Sequence, residues 1–176
     1  MRPVLRTEAE RNEMRMKQAV APCLAVIATA ALTAAQASAE DRSGHAERGK
    51  ASYYAESFNG RTMADGRRFS PRSNVAASKT LPLGTTAKVV NLQTGKSANV
   101  QVEDRGPYAR GRVLDVSPKV AQSLNMGRAG VAPVEVKPIA IPEPDGKVKL
   151  GAGAAETPPD QVAEAVRATK ELSERR

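Results

Sequence analysis

Short β-branched runs separated by turn residues fill residues 49–140, and they limit the chain to a small β-rich fold. Residues 85–92 and 97–102 flank Gln93-Thr94-Gly95-Lys96, where glycine supplies the positive φ of a tight turn, so the spacing predicts a hairpin. Arg112–Val116 reads as a further strand. Residues 131–137 read as another, and Pro133, which has no amide to donate, puts that strand at an edge or near its own start. Ser117-Pro118 opens a helix, with serine as N-cap and proline in the first helical position. Val120, Ala121 and Leu124 supply its apolar face and Gly127 stops it. Six or seven short strands and one small helix in about 90 residues describe a mainly β domain, a compact barrel.

The flanks differ in kind. After Arg11, Arg15 and Lys17 comes an apolar run, 19–35, ending in Ala37-Ser38-Ala39, the small residues a signal peptidase accepts. Residues 1–39 are therefore expected to be a signal peptide cleaved after Ala39, which sends the protein to the periplasm or cell wall. The run is shorter than the roughly 20 apolar residues of a spanning helix, so no stable membrane anchor is expected. Cys23, the sole cysteine, stands at the start of that run rather than at its cleaved end. This argues against lipoprotein anchoring and leaves the remaining chain without disulfides. Residues 40–48 are polar and are expected to be mobile. Residues 141–176 begin Pro- and Gly-rich and end with Val162, Ala165, Val166, Thr169 and Leu172 on one helical face. A flexible linker is expected there, followed by a helix that either docks on the barrel or a partner or, the favoured reading because isolated helices of this length are marginal, stays solvated and frays. The same tail would be the handle for an envelope partner.

Charge concentrates in the middle. Residues 49–140 hold 14 Lys/Arg against 6 Asp/Glu, as large a surplus as the +8 of the whole chain. A cationic domain suits an anionic polymer. Nucleic acid is not the expected one, since no helix-turn-helix, RNA-binding aromatic signature or zinc spacing occurs. His45 is the only histidine and has no ligand cluster around it, so neither a metal nor a cofactor is expected.

The chemistry gathers at Val100-Gln101-Val102-Glu103-Asp104-Arg105-Gly106-Pro107-Tyr108. Side chains alternate along a strand, so Asp104 is expected on the face of Val100 and Val102, with Glu103 pointing the other way. A partly desolvated carboxyl at a strand end suits general acid chemistry; a carboxylate that accepts amide hydrogens there is a turn cap. Asp115, before the Ser-Pro helix start, has the same two readings. Tyr53, Tyr54 and Tyr108 are the only tyrosines, and their rings either offer a stacking surface to a ligand or pack the core. Arg61, Arg67, Arg68, Arg72, Lys79, Arg105, Arg110 and Arg112 form either a carboxylate-binding rim or a solvated basic face.

GKASYYA (49–55), ADGRRF (64–69), AASKTLPLGT (76–85), VVNLQTGKS (89–97), DRGPYARGRVLDVSPKVAQSLNM (104–126) and GVAPVEV (130–136) resemble, in order, the rare lipoprotein A family, RlpA. The resemblance implies a six-stranded double-psi β-barrel over residues 49–140. It also implies an envelope protein acting on peptidoglycan as an endolytic lytic transglycosylase, preferring glycan strands without stem peptides and leaving 1,6-anhydromuramyl ends. The family's catalytic aspartate falls on Asp104, and the essential aspartate of the related expansins falls on Asp115. Tyr53, Tyr54, Arg67, Ser78, Arg105, Tyr108 and Arg110 fall on positions expected to meet substrate. The chain departs from the pattern at Arg67, where the family commonly has Glu, and at Ser78, where it has His. It also departs at Ala55 (Gly), Asn59 (His) and Met63 (Thr). Arg67 is the sharpest change, a permanent cation that would bear on Asp104 if the two approached. It opens an alternative, an expansin-like module that binds or loosens wall without cutting it.

Overall fold

The computed structural model describes residues 44–127 and 129–175; the expected leader lies outside the described residues. Seven strands follow in chain order: β1 (Glu47–Tyr53), β2 (Val75–Ser78), β3 (Thr86–Asn91), β4 (Ser97–Asp104), β5 (Arg112–Val116), β6 (Val131–Pro142) and β7 (Val148–Leu150). Helix α1 (Pro118–Ser123) separates β5 from β6, and α2 (Pro159–Glu174) ends the chain. The sheet order is β1-β5-β2-β4-β3-β6-β7, and β6 also pairs with β1, so the first six strands close into a barrel with β7 outside it. β1 runs parallel to β5 and β2 parallel to β4, while the remaining pairings are antiparallel. Two interleaved parallel pairs in a closed six-stranded sheet are the crossed connections of a double-psi barrel, the mainly β fold expected above.

The interior explains why so few aromatics suffice. Ala51, Ala76 and Ala87 are fully buried beside Val89, Val102 and Val116. A six-stranded barrel has room inside for side chains alone, and alanines let strands approach where larger residues would collide. The β3–β4 hairpin turns at Gly95, whose φ is 68°. Buried Asn91 closes the turn by accepting from the Gln93 amide at 2.9 Å, and its Nδ2 donates to the Leu124 carbonyl at 2.9 Å. That bond, with one from Thr94 Oγ1 at 3.1 Å, satisfies a carbonyl left over at the end of α1. At the other end of α1, Ser117 Oγ accepts from the Val120 amide and donates to the Ser73 carbonyl. Pro133 is the third residue of β6, opposite Lys50 of β1.

Both flanks are more ordered than the composition suggests. β1 starts at Glu47, inside the segment expected to be mobile. The expected linker is in part strand, because β6 runs on to Pro142 and β7 folds back on it. Gly151 then passes so close to β6 that a Cβ would lie 2.5 Å from the Pro138 carbonyl oxygen, which is why glycine stands there. Helix α2 is docked rather than solvated. Ala165 and Thr169 are buried, and Ala165, Val162 and Val166 pack on Ile139 and Ala140. Thr169 Oγ1 is 2.9 Å from Thr86 Oγ1 and donates to the Ala140 carbonyl at 3.3 Å. The marginality of isolated helices does not apply once the apolar stripe is buried against a strand. Among the described residues no helix is long and apolar enough to cross a membrane.

Candidate functional site

One row of residues crosses four strands. Ser52 (β1) pairs with Asp115 (β5), Asp115 with Ala77 (β2), and Ala77 with Asp104 (β4). The row lies on the outer face of the barrel, because Ala51, Ala76, Leu114 and Val116, their neighbours in sequence, point inward. Asp104 joins it through a bulge. Ala76 pairs with Val102 but Ala77 pairs with Asp104, so Glu103 is an extra residue opposite β2. This corrects the alternation argument: the bulge turns Asp104 away from Val100 and Val102 and onto the face of Asp115. Glu103, expected outward, is only 4% exposed.

Asp104 sits in a cradle of donors. Its Oδ1 accepts from the Ala64 amide at 2.9 Å and from the Arg105 amide at 2.8 Å, and its Oδ2 accepts from the Tyr54 hydroxyl at 2.8 Å. The amide bonds are those of the turn cap; the tyrosine bond is an addition that no spacing argument supplied. Tyr54 is fixed in turn, its ring 4.5 Å from that of Phe69 and 5.4 Å, edge-on, from that of Phe58. Burial, then the hydrogen bond to Asp104 and its charge, hold the Tyr54 hydroxyl far above its ordinary ionisation range, so it remains a donor. Asp115 accepts a hydrogen bond from Ser52 Oγ through Oδ1, and Arg112 Nη2 stands 3.9 Å from its Oδ2.

A groove of about 520 Å³ opens over this row. Its lining includes both aspartates, Ser52, Tyr53, Tyr54, Phe58, Arg105, Tyr108 and Arg112. Tyr108 is 82% exposed and Tyr53 39%, so two aromatic rings face solvent at the groove. Arg105 Nη1 donates to the Ser78 and Leu81 carbonyls at 3.0 and 2.6 Å, which ties the loop after β2 to the groove wall.

Three of the expected substrate contacts do not line the groove. Ser78 is buried, and its Oγ accepts from the Thr80 and Leu81 amides, the work of a turn cap. Arg110 is exposed outside the lining. Arg67 is held elsewhere: Nε pairs with Asp65 Oδ2 at 2.7 Å and Nη2 with Glu103 Oε1. The cation therefore meets the buried bulge carboxylate and Asp65 instead of Asp104. Burial works against the Arg67 charge, but the Asp65 bond and the Glu103 charge outweigh it and the guanidinium is held above its ordinary range. Glu103 is raised by burial and by the Asp65 charge, with Arg67 pulling the other way. The loop that carries Arg67 also reaches the site, since the Asp65 amide donates to the Glu103 carbonyl at 3.1 Å and the amide of Ala64, its neighbour in the chain, donates to Asp104.

Ser52 and Phe58 were missed by the sequence argument. Ser52 is legible only once β1 is known to lie beside β5; Phe58 carries the signal of being one of just two phenylalanines.

The chain is 51% identical over 88 residues to "Probable endolytic peptidoglycan transglycosylase RlpA" of Treponema pallidum, a match covering 50% of this chain and 28% of that protein. It is 40% identical over 101 residues to "Endolytic peptidoglycan transglycosylase RlpA" of Vibrio cholerae, covering 57% and 38%. It therefore spans well under half the length of these curated relatives. Among solved structures it is similar to an apo expansin of Clavibacter michiganensis, with a TM-score of 0.43 and 23% identity over 56% of this chain and 52% of that one. Residues 46–136, from the first strand of the barrel through the inward valines of β6, match the lytic transglycolase family, and the chain belongs to it.

Proposed function

We propose that the groove binds glycan strands of peptidoglycan and that the protein cuts them endolytically by lytic transglycosylation, preferring strands without stem peptides. The observation that carries this reading is the row Asp104–Ala77–Asp115, which sets two carboxylates two strand spacings apart, roughly 10 Å between backbones, under an open groove with aromatic walls. In this reaction the bond between C1 of N-acetylmuramic acid and O4 of the next N-acetylglucosamine breaks. The C6 hydroxyl of the same muramic acid closes on C1, its proton leaves, and O4 gains one. No water is consumed. One group that first gives a proton and then takes one is enough, and Asp104 is assigned that role. Oδ1 is held by two amides and Oδ2 by the protonated Tyr54, so the carboxyl keeps its aim while it changes state. Asp115, oriented by Ser52, faces the same groove and would stabilise positive charge developing at C1. Arg105 and Arg112 offer guanidinium groups to the lactyl carboxylate. Export through the leader ending at Ala39 would bring the protein to this substrate in the periplasm or wall. An envelope or divisome partner recruited by the tail would meet the polar side of α2, whose apolar stripe is already occupied.

Arg67 favours a second reading, wall binding without cleavage, because a cation stands where the family keeps an acid. One experiment separates them. Purified protein and its Asp104→Asn variant are incubated with denuded glycan strands, and the products are read by mass spectrometry for 1,6-anhydro ends. The parent is expected to form them and the variant to lose at least about 100-fold of that rate. No anhydro ends from the parent, with sedimentation on the glycan retained, would establish the binding reading instead.

A further inference from the structure

Tyr53 is shared between two concavities. Besides bounding the groove over Asp104 and Asp115, it lines a second depression of about 350 Å³ at the side of α1, together with Pro118, Ala121, Gln122, Asn125 and Met126. The two spaces are thus bounded by one half-exposed ring. Their linings differ in a telling way. The groove has Arg105 and Arg112 beside its two aspartates, whereas no described residue lining the depression carries a charge. Ala121 and Met126, 7% and 5% exposed, give it an apolar floor. Gln122 and Asn125 are exposed at its rim, and among the described residues neither carboxamide has a hydrogen-bond partner. Asn125 lies just past the end of α1 with φ of 52°, a left-handed conformation that asparagine tolerates better than other side chains.

An apolar floor, an adjoining aromatic ring and exposed carboxamides at the rim match the two sides of an N-acetylated hexose, its C–H face and its hydroxyl and acetamido edge. The volume lies within the range of small-molecule sites, about 300–1,000 Å³. We propose that this depression is a further sugar subsite, across Tyr53 from the groove, that takes an uncharged N-acetylglucosamine of the same strand. The inference rests on the glycan reading above and extends it. Peptidoglycan alternates a neutral sugar with one bearing a lactyl carboxylate, and a subsite whose described lining is uncharged, beside a groove that offers two guanidiniums, reads that alternation. The groove's guanidiniums take the acidic sugar and the depression takes its neutral neighbour, so the two together set the register in which a strand lies over Asp104.

The test compares defined denuded glycans by calorimetry, with Asp104→Asn carried by both parent and variant so that no strand is cut: the disaccharide repeat, and an octasaccharide long enough to reach past Tyr53. The variant is Gln122→Ala with Asn125→Gly, which removes both carboxamides and leaves the left-handed position to a residue that accepts it. The parent is expected to bind the octasaccharide at least about tenfold more tightly than the disaccharide. The variant is expected to lose that gain while keeping the parent's disaccharide affinity and melting temperature. An equal length gain in parent and variant would overturn the subsite and leave the glycan reading intact. Loss of disaccharide binding in a variant that still melts normally would show that the depression is not separate from the groove, and would also overturn it. A parent that binds neither glycan would sink both readings together.

Discussion

The Tyr54 hydroxyl reaches Asp104 Oδ2 from a ring held between Phe58 and Phe69, so its removal can be separated from any change in packing. Tyr54→Phe is expected to lower the rate of anhydro-end formation about 10- to 100-fold, the scale of one hydrogen bond to a charged group, with little change in melting temperature. Steady-state cleavage of denuded glycan alongside a thermal melt checks both halves. Glu103 and Arg67 allow a prediction of opposite character, about stability. Burial raises Glu103, so the folded protein holds a proton that the unfolded chain has already released; the stability tied to that proton is present at low pH and is lost as pH rises through the folded value. From about pH 4 upward the parent should therefore fall in melting temperature more steeply than Glu103→Gln, whose side chain does not titrate. Parallel slopes in melts taken across that range would rule this out. Arg67→Glu places a third carboxylate against Glu103 and Asp65, and should cost about 1–3 kcal/mol in urea unfolding, the pair being partly open to solvent. Adding Glu103→Gln should recover part of that loss.

At the scale of elements, local chemistry is enough to place several of them. The hairpin at Gly95, the Ser117-Pro118 helix start and the Arg112–Val116 strand are where turn chemistry and capping put them. What failed was any statement that needed a partner. The face of Asp104 follows from a bulge, and a bulge belongs to a pair of strands: β4 alone alternates without interruption, and only the register against β2 skips Glu103. The tail failed for the same reason. Residues 141 and 142 look like linker until β7 is found paired beside them, and the stripe on α2 looks orphaned until β6 lies beneath it. Ala165→Asp would set a carboxylate against Ile139 and Ala140 and is expected to cost about 2–4 kcal/mol while freeing α2. Limited proteolysis checks the release: the variant should be cut near Pro158 at protease levels the parent survives, and resistance equal to the parent's would mean that the helix is not held by this face.

For the whole molecule, the sequence by itself determined a mainly β domain between a leader-like start and a helical end. It concentrated positive charge in residues 49–140 and supplied the small inward residues of a narrow barrel. These are properties of composition and of neighbours in the chain, and they survive without knowledge of any pairing. The resemblance to a family then pointed to Asp104 and Asp115. Only the tertiary structure decided that these two share one outward row with Ser52 and Ala77. It also decided that Arg67 spends its charge on Glu103 and Asp65, that Ser78 caps a turn instead of lining the groove, and that the tail is part of the folded body. The reason is physical: each of these depends on which strands lie side by side and in what register, and in a barrel with two crossed parallel pairs those neighbours are far apart in the chain. Local periodicity says which residues point the same way along one strand; only closure of the barrel says what they meet.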